Sequence, residues 1–85
     1  MKIPKRLKIG GHIYKVKEVS DLDKCGATDR DKNTITLSKE MPHNQKEVTL
    51  IHEILHALNN EMEHAFLDGL AEQLYQVLSD NKLLK

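Results

Sequence analysis

His52-Glu53-Ile54-Leu55-His56 is the segment whose residue types and spacing could do chemistry. Residues four apart on a helix lie on one face, one above the other. The two imidazoles can therefore bind a single ion from one direction. Glu53, beside His52, reaches the same side of the site. In that arrangement the glutamate does not ligate the ion but accepts a proton from the water bound to it. The alternative is a pair of structural histidines with a solvated glutamate. Context argues against it, because the motif sits inside an apolar helical pattern where two histidines facing the core need a reason.

A tetrahedral catalytic ion needs a third protein ligand and one open position. Downstream the chain offers Glu61, Glu63, His64, Asp68 and Glu72. His64 is the preferred ligand: it falls at the start of the next helix, where a short link can swing it toward the first. Asp68 follows four residues later on the same face. It could accept a hydrogen bond from the far nitrogen of a ligand histidine, which fixes the ring's orientation. Glu72 is the runner-up ligand, although its position also suits an ordinary solvated carboxylate. A nitrogen-rich tetrahedral set favours zinc, one ion per chain.

The elements that must position these residues follow from periodicity. Val48, Ile51, Leu55 and Leu58 recur at helical spacing. Asn44 with Glu47 three residues on reads as a capping-box-like start, and Asn59-Asn60 suits a left-handed C-terminal turn. A second helix begins near Glu63 or His64, with an apolar stripe of Leu67, Leu70, Ala71, Leu74, Val77 and Leu78. The short link makes the two helices packed neighbours.

Residues 1 to about 40 read as β-structure. Leu7-Lys8-Ile9 and Ile13 to Val19 alternate apolar with polar, the pattern of half-buried strands. Gly10-Gly11 between them supplies the positive φ of a tight hairpin turn. A third strand begins near Cys25-Gly26-Ala27-Thr28, Asp29 to Asn33 forms a polar turn, and Thr34-Ile35-Thr36-Leu37 is a fourth strand. The expected fold class is α+β: a small N-terminal antiparallel sheet of three or four strands, then two packed helices carrying the histidine motif, in one domain over residues 1–85.

The composition bounds the function. Lys plus Arg and Asp plus Glu are 13 each, a formal net charge of zero. Nucleic-acid binding demands a basic face and a polybasic membrane anchor demands the same, so neither is expected. One cysteine, Cys25, allows no disulfide within the chain and reads as a small buried or half-buried side chain. No apolar run approaches the roughly 20 residues that span a bilayer, and no signal peptide precedes the first strand; the expected address is the cytoplasm. A domain this short has a thin core that a bound metal would help to hold.

His52-Glu53-Ile54-Leu55-His56 followed by a ligand-bearing helix resembles the zincin metallopeptidases. More closely, the chain resembles small phage and prophage proteins related to the ImmA/IrrE metallopeptidases. The likeness includes the short sheet, the polar turn before Thr34-Ile35-Thr36-Leu37, the segment Thr49 to Leu58, and Leu70 to Leu78 ending at Asp80-Asn81. It implies zinc-ligand roles for His52 and His56 and a general-base role for Glu53. In gluzincin-like relatives the third ligand is a glutamate on the following helix, with an acidic or amide residue four positions on. That pattern falls here on His64 and Asp68, with histidine in place of glutamate. The implied activity is hydrolysis of a peptide or protein substrate by metal-activated water. The edge strand Thr34-Ile35-Thr36-Leu37 could hold an extended peptide by adding it to the sheet, although it also suits an ordinary sheet strand. Tyr14, Tyr75, His12 and His43 are available to stabilise an oxyanion, although each also suits a packing or surface role.

Overall fold

The computed structural model describes residues 1–84. Gly10 and Gly11 both adopt positive φ, 57° and 83°, as a two-residue turn whose twist matches its strands requires. They join β1 (Arg6–Ile9) to β2 (His12–Val19) with Ile9 opposite His12. Alternation along β2 buries Tyr14 and Val16 and turns Ile13, 57% exposed, to the other face. β3 (Gly26–Asp29) and β4 (Thr34–Ser38) form a second antiparallel hairpin. Its turn is closed by the Asp29 carboxylate, which accepts hydrogen bonds from the N–H groups of Asp31 (3.0 Å) and Lys32 (3.1 Å). Asn33 takes the left-handed conformation (φ 48°).

The four strands are ordered β1-β2-β4-β3. The α+β arrangement is the one expected, but the sheet is mixed: β4 runs parallel to β2. The second hairpin docks through its later strand. Apolar burial explains the choice, because Ile35 and Leu37 on β4 are 0% exposed, whereas Gly26-Ala27-Thr28-Asp29 has little apolar side chain to bury in a central position. Thr34–Leu37 is therefore an interior strand and not the expected edge; the edges are β1 and β3.

Helix α1 (His43–Leu58) lies across this sheet, and Leu50 and Ala57 join Ile9, Tyr14, Val16, Ile35 and Leu37 in the main core. The expected stripe of Val48, Ile51, Leu55 and Leu58 is shifted. Leu50, Ile51 and Ala57 are buried while Leu58 is 57% exposed, because the sheet covers one side of α1 and the second helix another. Asn44 and Glu47 form no capping box: Pro42 precedes the helix, no side chain caps it, and the Glu47 carboxylate is engaged elsewhere. Asn59 ends the helix in an extended conformation (φ −153°) and not a left-handed one. Its side chain accepts the Glu61 N–H (3.0 Å), an Asx turn that redirects the chain without positive φ.

Helix α2 (His64–Asp80) starts where expected. Among the described elements it packs on α1, and no strand backbone runs alongside it. Leu67 and Ala71 are buried, whereas Leu74 and Val77 in the expected stripe are 38% and 47% exposed. Among the described residues no helix is long and apolar enough to cross a membrane.

Candidate metal centre

The site sits where α1, the start of α2 and the free side of β3 meet. α1 presents His52 and His56 one turn apart, with Nε2 of each ring 3.0 Å from the other. His64, the first residue of α2, brings its ring centroid to 5.1 Å from that of His52 and 5.4 Å from that of His56. One ligand nitrogen from each of the three rings lies within 4.8 Å of the others. Glu61, Glu63 and Glu72 are not part of this group; Glu72 lines the same cleft farther along α2.

An Asp68 carboxylate oxygen lies 2.9 Å from Nδ1 of His52 and 3.6 Å from Nε2 of His64. A carboxylate on Nδ1 keeps the proton there and leaves Nε2 with a free lone pair. That lone pair faces Nε2 of His56, so the 3.0 Å approach calls for a proton or a cation between the two rings. Burial pushes the His52 imidazole below its ordinary pKa; His56 and His64 act in the same direction, while Glu53 and Asp68 oppose it. The shift favours the neutral form that a metal ligand requires.

Glu53 is only 5% exposed. Its Oε1 accepts the Thr28 hydroxyl proton at 2.6 Å. On the same strand, a Cβ at Gly26 would lie 2.8 Å from Thr49 Cγ2 and 3.1 Å from Glu53 Oε2, so β3 approaches α1 this closely only because residue 26 has no side chain. Nothing local in the sequence pairs Gly26 or Thr28 with Glu53. The one available cue is that positions 26 and 28 share a strand face.

These residues open onto a cleft of about 1040 Å³ whose walls include Gly26, Thr28, His52, Glu53, His56 and His64. The other suggested polar groups lie apart from it. Tyr14 is buried in the core and His12 is exposed on β2. His43 Nε2 contacts the Met1 carbonyl at 2.6 Å, and the Tyr75 hydroxyl donates to Glu47 Oε1 at 3.0 Å. Cys25, expected to be buried or half-buried, is exposed just before β3, with its Sγ accepting from Gln45 Nε2 at 3.7 Å. Comparison with protein-family models, with curated proteins and with solved structures returned no match to this chain.

Proposed function

We propose that the chain is a minimal zinc-dependent peptidase of the zincin type, with His52, His56 and His64 as ligands and Glu53 as general base. The observation that carries this reading is the convergence of three histidine nitrogens within 4.8 Å beside a buried glutamate on one cleft wall. The donor set fits the ion. Zinc–nitrogen bonds of about 2.0–2.1 Å in a tetrahedron hold ligand nitrogens roughly 3.3 Å apart, close to the 3.0 Å between His52 and His56. His64, with a side chain 70% exposed, is free to adjust. Three ligands leave the fourth position open.

Bound zinc would supply Lewis acidity, polarising a peptide carbonyl and acidifying water. The chain's own residues do the rest. Asp68 orients His52, and Glu53 takes a proton from the attacking water and returns it to the leaving amine. The free edge of β3, not β4, lies along the cleft and could receive an extended peptide through main-chain hydrogen bonds. A protein substrate in a phage or prophage setting, within the host cytoplasm, belongs to the same proposal.

The test begins with metal content by mass spectrometry on purified wild type and His64→Ala. About one zinc per wild-type chain, with weaker retention in the variant, is expected. A folded wild type that takes up no zinc when it is supplied overturns the reading. Glu53→Gln should then keep the metal and lower peptide cleavage by about 10²- to 10⁴-fold.

One observation favours a non-catalytic alternative in which zinc only staples a thin core. The histidines bridge α1 to α2, and among the described helices and strands α1 is the one α2 packs on. In that case Glu53→Gln changes no function while His52→Ala loosens the fold.

A further inference from the structure

We infer that Thr28 is the positioning residue for Glu53, fixing the carboxylate against the strand wall of the cleft. The inference rests on the peptidase reading for its catalytic consequence and on geometry alone for the hold itself.

Glu53 is only 5% exposed, and Thr28 supplies it a hydrogen bond from the protein. The hydroxyl lies 2.6 Å from Oε1, within the range of a hydroxyl donating to an ionised carboxylate. It lies 3.2 Å from the Glu53 main-chain carbonyl. With one proton to give, it donates along the shorter, charge-assisted contact. The same hydroxyl therefore sits against both ends of one residue and defines the side-chain torsions between them.

The strand does more than donate. Gly26 sits on the same face of β3, two residues earlier, and its missing side chain leaves the space beside Oε2. One carboxylate oxygen is thus tied by Thr28 and the other is seated over Gly26. A glutamate has three side-chain torsions, and an untethered one samples several staggered arrangements. A base must lie within hydrogen-bond reach of the proton it takes, and a misplacement of about 1 Å can cost on the order of 10²-fold in rate.

β3 also forms the free edge along the cleft. The strand that would meet a peptide is therefore the strand that orients the base, and the two are held in one rigid frame.

Thr28→Val and Thr28→Ser test this in the full-length, zinc-loaded chain, with a mixture of quenched fluorescent peptides as the probe. Valine keeps the shape and removes the hydroxyl; serine keeps the hydroxyl. The expected result is unchanged metal content in both variants. Cleavage by Thr28→Val falls about 10- to 100-fold in kcat with KM within about twofold, and Thr28→Ser recovers to within about threefold of wild type. Crystal structures of the three forms supply the readout that does not depend on activity: the Glu53 carboxylate is displaced in Thr28→Val and not in Thr28→Ser. Thr28→Ala replaces the valine variant if that one does not fold. An undisplaced carboxylate in the hydroxyl-free variant, an unchanged kcat, or a serine variant as poor as the valine one overturns the inference. If the zinc-loaded wild type cleaves none of the peptides, the peptidase reading fails for this probe, while the crystal structures still decide whether Thr28 holds Glu53.

Discussion

The two sides of α1 are built differently. Toward the sheet, Leu50 (2% exposed) meets Ile35 and Leu37 (both 0%) in a continuous apolar core. Toward α2, the fully buried contribution from the second helix is Leu67 and Ala71. Polar pairs also cross that seam: His52 to Asp68 near one end, and Tyr75 to Glu47 at the other. The sheet side stands chiefly on hydrophobic burial, with the Thr28–Glu53 hydrogen bond and the Lys46–Glu18 ion pair at its margins. The α2 side joins a small apolar contact to groups whose interactions depend on protonation, and the candidate site lies in that side.

The largest expected effect comes from breaking the apolar side. Leu37→Ala deletes most of a fully buried side chain on the central strand, and such truncations cost about 2–5 kcal/mol. For an 85-residue domain that is a large share of a total stability of roughly 5–10 kcal/mol. Urea denaturation should show one transition moved to much lower denaturant, with sheet and helices lost together. Loss of α2 signal alone would mean that the two sides do not fold as a unit.

Metal occupancy sharpens the comparison next. At a free zinc concentration a hundredfold above its dissociation constant, binding to the folded chain alone adds about 2.7 kcal/mol. Because the three histidines join α1 to α2, the gain in amide hydrogen-exchange protection should be greatest along α2 and in the last turns of α1. The central strands, already buried, should gain less. His64→Ala should remove most of this gain. Uniform protection, or none, would show that the histidines do not staple the helix.

This asymmetry also separates what was legible in the sequence from what was not. Helical spacing is local, so His52, Glu53 and His56 fall on one helix from the sequence alone, and the link length brings His64 back toward them. Asp68 follows because it is one turn from His64. The strand order is not local. Whether the β3–β4 hairpin docks by its first or second strand is decided by where Ile35 and Leu37 can be buried, and hence β4 is central and parallel to β2. The Thr28–Glu53 contact spans 25 positions and depends on that order. Glu47 was equally hidden. A glutamate in a first helical turn reads as a capping or surface residue, and its burial requires partners from distant parts of the chain.

Glu47 provides the smallest of the three effects, and the one that depends on pH. It is 6% exposed; its Oε2 pairs with the Met1 ammonium at 2.7 Å and its Oε1 accepts from Tyr75 at 3.0 Å. Burial pushes the carboxyl up, but the Met1 ammonium, the Tyr75 hydroxyl and the charge of His43 outweigh it and hold the pKa below the ordinary value of about 4.5. A carboxyl with a lowered folded-state pKa contributes stability that is complete above the unfolded pKa and is lost as pH falls through the folded one. Glu47→Gln keeps the shape and an acceptor for Tyr75 but removes the charge facing the ammonium, at a cost of about 1–2 kcal/mol near neutral pH. Wild type and variant should differ by that amount at pH 7, and the gap should close as the pH drops below about 4.5. Leu37→Ala, by contrast, should cost nearly the same at both pH values, since no proton is bound or released by a leucine. A Glu47→Gln gap that persists undiminished into strong acid would mean that the charge of Glu47 is not its source.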